Sequence, residues 1–118
     1  MPKVLVVDDS QDNAIVLAEL LRLSGCETAF AFDGASALET AASFDPDVIF
    51  LDLGLPDMDG HQVAQMLRER NSQERPRIIA LTGSDLVVPV SAPFECHLLK
   101  PVKLQTLLRF VDCTEPVA

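Results

Sequence analysis

The feature that most constrains this chain is a set of short apolar runs: VLVV (4–7), VIFL (48–51) and IIAL (78–81). A strand with one solvated face alternates apolar and polar residues. An unbroken run therefore predicts a strand covered on both faces, as in a parallel sheet between two layers of helices. CHLL (96–99) is a weaker run of the same kind, and ETAFAF (27–32) alternates as an edge strand does. Between the runs the period becomes helical. Residues 11–23 place Ala14, Leu17, Ala18 and Leu21 on one face, with Gly25 as a stop. Residues 35–44 carry Ala37, Leu38, Ala41 and Ala42 before Asp45-Pro46 ends the helix. Residues 60–70 carry Val63, Ala64 and Leu67, and a last helix over about 103–111 carries Leu104, Leu107, Leu108 and Val111.

This strand-helix alternation with short connections predicts a single three-layer α/β domain over residues 1–118, and a chain of 118 residues has room for one domain. One segment breaks the rhythm. SDLVVPVSAPFE (84–95) holds Pro89 and Pro93, and two prolines four apart cannot share a regular helix without a cost of several kcal/mol. An irregular stretch or a single turn is expected there, leaving the fourth helix short or missing.

Composition excludes several function classes. A net charge of −9 argues against a nucleic-acid surface. The three cysteines, Cys26, Cys96 and Cys113, form no C-x-x-C pair, so reduced thiols are expected rather than a disulfide framework or zinc site. The N-terminus runs directly into an apolar strand without a signal peptide, and no apolar run approaches bilayer length, which predicts a cytoplasmic chain.

In an open parallel sheet, chemistry collects at the C-terminal ends of the strands. Asp8 and Asp9 follow the first run, Asp52 the run at 48–51, Thr82 the run at 78–81 and Lys100 the run at 96–99. Three carboxylates, a hydroxyl and an ammonium are thus expected on one edge. Two unit charges about 4 Å apart repel by roughly 4 kcal/mol at an effective dielectric of 20. Such a cluster needs a proton or a hard cation, and Mg²⁺ suits carboxylates, water and a phosphate oxygen. Any one of these aspartates, taken singly, reads more simply as a helix cap.

The blocks VVDDSQDN, LDLGLPDMDG, ALTGS and HLLKPV, in this order along the chain, resemble those of two-component response-regulator receiver domains. The resemblance covers essentially the whole chain and implies a doubly wound five-stranded parallel sheet of order 2-1-3-4-5. It implies that Asp52 is the phosphoacceptor and that Asp8, Asp9, Asp52 and the Gly54 backbone carbonyl hold Mg²⁺, with Mn²⁺ as an alternative. Thr82 matches the hydroxyl that bonds the phosphoryl group, and Lys100 the cation that pairs with it. Gly83 fits the small neighbouring position, Ser84 the position that tunes dephosphorylation, and a cis bond is implied at Pro101. His97 stands where the family usually carries a rotating aromatic, so it is either that switch or a satisfied surface histidine on a strand. The implied partner is a histidine kinase or a histidine phosphotransfer protein, and the implied role is a signalling switch rather than a turnover enzyme. The chain would be a stand-alone regulator or the receiver of a hybrid kinase.

Other readings fit these residues less well. A haloacid-dehalogenase-like phosphatase needs a second Asp two positions after the nucleophile, where Gly54 stands. A flavodoxin-like FMN module needs a Ser/Thr- or Gly-rich phosphate cradle, where this chain has DDSQDN. A phosphorylation-independent, receiver-like interaction module keeps the fold and drops the chemistry. The presence of all five expected site residues argues against it.

Overall fold

The computed structural model describes residues 2–70, 76–83, 94, 96–100 and 102–111. Strands β1 (Lys3–Val7), β2 (Glu27–Ala31), β3 (Val48–Asp52), β4 (Arg77–Thr82) and β5 (Cys96–Leu99) alternate with α1 (Gln11–Leu23), α2 (Gly34–Phe44) and α3 (Gly60–Arg70), and α4 (Leu104–Val111) follows β5. All strand pairs are parallel and the order is β2-β1-β3-β4-β5. The expectation of a short or missing helix within 84–95 falls outside the described residues, Phe94 excepted, as do Ser84, Pro101 and Cys113.

The unbroken apolar runs have the predicted cause. Leu5, Val7, Ile49, Leu51, Ile78 and Ala80 pack on one face of the sheet with Ala37, Leu38, Ala41, Val63 and Leu67 from α2 and α3. Val4, Val6, Val48, Phe50, Ile79 and Leu81 pack on the other with Ala14, Ala18 and Leu21 from α1 and Leu107 and Val111 from α4. Helices therefore cover both faces of β1, β3 and β4. β2 lies at the edge and is the less covered strand, with Glu27 on one face and Phe30 on the other exposed and only Ala31 buried.

Capping explains where the helices begin and end. The Ser10 hydroxyl accepts the Asn13 N–H at the start of α1, and Gly25 turns the chain beyond it at φ 104°. The Asp33 carboxylate accepts the Ser36 N–H in α2, and Asp45 closes that helix in the left-handed region at φ 55°. The chain leaves β1 toward one edge of the sheet and returns to β3 on the other side of β1, so a crevice opens between the C-terminal ends of β1 and β3.

Candidate functional site

Asp8, directly after β1, and Asp52, the last residue of β3, flank that crevice, and their side chains are 2% and 8% exposed. Asp9 is exposed beside them, and one carboxylate oxygen from each of the three lies within 4.8 Å of the others. Lys100, directly after β5, spans the pair. Its Nζ is 3.2 Å from Asp8 Oδ2 and 3.0 Å from Asp52 Oδ2. The backbone sets this reach, because the Lys100 N–H donates to the Thr82 carbonyl at 2.7 Å and extends the β4–β5 pairing by one residue. Thr82 ends β4, half-buried, between Asp52 and Lys100 in the order of the sheet.

The other acceptor sites of the acids are held by local backbone. Asp8 Oδ1 accepts the Ser10 N–H at 2.9 Å, and Asp52 Oδ1 accepts the Gly54 N–H at 3.0 Å. Burial pushes the Asp8 carboxyl above its ordinary range, against the Ser10 N–H and the Lys100 charge. Burial acts on Asp52 in the same sense, but the Gly54 N–H and Lys100 outweigh it and hold that carboxyl below the ordinary range. Flanking carboxylates raise Lys100 despite its partial burial. One ammonium thus faces three acids and leaves excess negative charge, which a hard divalent cation on oxygen ligands would neutralise.

The connection from β3 to α3 begins at the site, directly after Asp52. The Leu53 N–H donates to the Leu81 carbonyl at 3.1 Å, and the Gly60 N–H to the Leu53 carbonyl at 3.3 Å. Gly60 must be glycine for close approach, since a Cβ there would sit 2.6 Å from Leu53 Cα. Gly54 has no such restriction, because its nearest neighbour to a Cβ would be Asp52 Oδ1 at 3.8 Å.

A response regulator receiver domain model matches residues 4–112. The chain is 39% identical over 109 residues to the transcriptional regulatory protein PrrA of Mycobacterium tuberculosis, covering 91% of this chain and 47% of PrrA. It is likewise 39% identical over 111 residues to hybrid signal transduction histidine kinase L of Dictyostelium discoideum, covering 86% of this chain and 6% of that kinase. Among solved structures it resembles response regulator protein TrrA of Thermotoga maritima in complex with Mg(2+)-BeF, at 29% identity and a TM-score of 0.81 over 96% of this chain and 98% of that one. The chain belongs to the response regulator receiver domain family. It spans about half the length of PrrA and a small part of the kinase.

Receiver domains are signalling switches that accept phosphate from histidine kinases, and they are not turnover enzymes. In this receiver, Asp8, Asp9, Asp52, Gly54, Thr82 and Lys100 all lie at the C-terminal edge of the sheet, as end-of-strand reading expects. His97 lies apart from them, and the reading of it as a satisfied surface histidine is corrected. Its ring packs on Phe94 at 5.2 Å between centroids, and Phe94 in turn meets His61 edge-on at 5.2 Å. Both His97 ring nitrogens are buried without a hydrogen-bond partner among the described residues. Burial, then the nearby His61, pulls its pKa below the ordinary histidine value. The cause lies in the register: His97 pairs with Ala80, which faces the α2–α3 side of the core. His61, at the start of α3, is half-exposed and pairs with Asp59 at 3.2 Å. Cys26 and Cys96 are free thiols. Among the described residues no helix is long and apolar enough to cross a membrane.

Sequence reasoning missed Asp57. Its carboxylate crosses from the β3–α3 loop to accept the Gly34 N–H at 2.7 Å and the Ala35 N–H at 3.1 Å at the start of α2. Only the run of acidic residues in LPDMDG hinted at it.

Proposed function

We propose that this chain, as one receiver domain over 1–118, takes a phosphoryl group onto Asp52 from a phosphohistidine on a histidine kinase or phosphotransfer protein. The observation that carries the reading is Lys100 Nζ set between Asp8 and Asp52 within hydrogen-bond distance of both. In the step, the N–P bond of the donor breaks, an Asp52 carboxylate oxygen bonds to phosphorus, and the imidazole leaves. Asp8, Asp9, Asp52 and the Gly54 carbonyl would hold Mg²⁺, which fits the excess acid charge there. When bound, the ion supplies charge neutralisation between the incoming phosphoryl oxygens and the carboxylates. The complex of TrrA with Mg(2+)-BeF supports that choice of metal; Mn²⁺ would serve the same oxygen ligands.

Lys100 stands ready to exchange part of its hold on Asp8 and Asp52 for a phosphoryl oxygen. Thr82, at the end of the neighbouring strand, supplies a hydroxyl donor. Each such charge-assisted bond is worth about 1.5–3 kcal/mol. The pair is therefore worth about 3–6 kcal/mol, comparable with the ~5.5 kcal/mol that inverts a 1:99 equilibrium. Movement of Thr82 toward the phosphoryl group would free space on the Phe94 side of the sheet, and His97 is the ring placed to respond. The chain would assist its own phosphorylation and later hydrolysis in the cytoplasm. With a net charge of −9, its output runs through protein contact, and DNA contact is not assigned to these residues.

The test is intact mass after incubation with acetyl phosphate, with and without Mg²⁺, on wild type and Asp52→Asn. A gain of one phosphoryl group that requires both Mg²⁺ and Asp52 is expected. Labelling of Asp52→Asn at the wild-type rate would overturn the assignment.

A further inference from the structure

The Gly54 carbonyl belongs to an exposed residue held directly only through its N–H to Asp52 Oδ1, so the path of the rest of the loop bears on where that carbonyl points. The Leu53 N–H ties the start of the loop to β4, and the Gly60 N–H closes its end onto the Leu53 carbonyl. Between those ends, a third tie is made to a different helix. The N–H groups of Gly34, Ala35 and Ser36, which open α2, have no carbonyl partner within the helix, and they are satisfied from two sources. The Asp33 carboxylate accepts the Ser36 N–H at 2.8 Å. Asp57 takes the other two, those of Gly34 and Ala35, across a separation of more than 20 residues in sequence.

Met58 reinforces the joint. Its Sδ lies 2.8 Å and its Cβ 2.9 Å from where a Cβ on Gly34 would stand, so the loop sits directly on the glycine that opens α2. The Gly34 N–H, followed by that of Ala35, holds the Asp57 carboxyl below the ordinary range, which keeps the capping charge at neutral pH.

We infer that Asp57 is a positioning residue for the phosphorylation site: by clamping the β3–α3 loop to the α2 N-terminus, it fixes the carbonyl of Gly54 for metal binding. This rests on the proposed Mg²⁺ site. Asp57 does not touch the acid cluster; it acts on Gly54 through the two intervening loop residues, Leu55 and Pro56, and it makes α2 a structural neighbour of the site.

Asp33 supplies the control. Asp33→Ala and Asp57→Ala each remove a cap from α2, but only the second releases the loop. The chain has no Trp or Tyr, so binding is read from amide shifts of ¹⁵N-labelled protein titrated with MgCl₂ alone. For Asp57→Ala the Mg²⁺ Kd should rise about tenfold, the low end of what loss of an outer-shell partner costs a metal site. For Asp33→Ala it should change less than twofold. Asp57→Asn, which keeps one oxygen for the Gly34 N–H, should fall between wild type and Asp57→Ala. It carries the test where Asp57→Ala does not give a dispersed spectrum. Wild-type affinity in the Asp57 variants, or an equal loss in Asp33→Ala, would overturn the inference while leaving the metal site standing. A wild-type chain that shows no saturable shift would overturn the metal site itself, and the inference with it.

Discussion

Replacing Lys100 by Met removes the one ammonium seated between Asp8 and Asp52 while keeping most of the apolar stem. Both carboxylates are nearly buried, so the charge that Lys100 offsets must be carried another way. If both acids stay ionised, oxygens up to 4.8 Å apart repel by about 3.5 kcal/mol at an effective dielectric of 20. If one takes a proton instead, moving an ordinary carboxyl of pKa about 3.9 to its neutral form at pH 7 costs about 4 kcal/mol. Asp8 already titrates above the ordinary range, which lowers the second figure, and the Asp9 side is open to water. A loss of about 2–3 kcal/mol follows, somewhat below that for breaking a fully buried pair. Urea melts followed by far-UV circular dichroism should show a midpoint about 1–2 M lower at pH 7. Loss of Lys100 raises the folded-state pKa of the acids, so the folded variant binds protons more readily than the unfolded chain. The deficit should therefore shrink as pH falls toward 5. Ten millimolar MgCl₂ should stabilise Lys100→Met more than wild type, because the ion no longer competes with the ammonium, and a tenfold tighter Kd adds up to about 1.4 kcal/mol. An unchanged midpoint without metal, together with an unchanged response to Mg²⁺, would refute Lys100 as the countercharge.

Gly60→Ala should cost about 1–3 kcal/mol by driving the Leu53 backbone away from a Cβ at 2.6 Å. Gly54→Ala, with 3.8 Å of clearance, should stay within about 0.5 kcal/mol; thermal melts of the two variants in parallel check the contrast, and equal losses would count against it. Burial, then the nearby His61, pulls the His97 pKa below its ordinary value in the folded state, so as pH falls through about 6.5 the unfolded chain takes up a proton more readily than the folded chain. Stability should therefore fall as pH drops from 7 toward 5, and His97→Phe should remove part of that slope. Urea midpoints at pH 7.5 and 5.5 measure it, and the same acid loss in both proteins would show that His97 is not the cause.

The tertiary packing gives these predictions their sizes, whereas local pattern already placed the elements. Helix α1 spans the expected 11–23, and the unbroken runs became the strands buried on both faces. ETAFAF lacks an unbroken apolar run because β2, at the edge of the sheet, is only partly covered. Reading the residue after each run brought Asp8, Asp9, Asp52, Thr82 and Lys100 to one edge, because parallel strands all point their C-terminal ends the same way. Periodicity and capping act over a few residues, so one sequence suffices to read them. The remaining features depend on contacts between residues far apart in the chain. The register of β5 against β4, which pairs His97 with Ala80, decided that the imidazole packs against Phe94 at the margin of the core. That Lys100 spans both Asp8 and Asp52 follows from the stacking of β1, β3, β4 and β5 in that order, a placement no local period encodes. Asp57 is one more acidic loop residue until the sheet and helices assemble and set the open N-terminus of α2 beside it. Composition and period therefore determined the class of fold and the edge where chemistry collects. Only the assembled sheet decided which charges meet there, because their partners lie up to 92 residues apart.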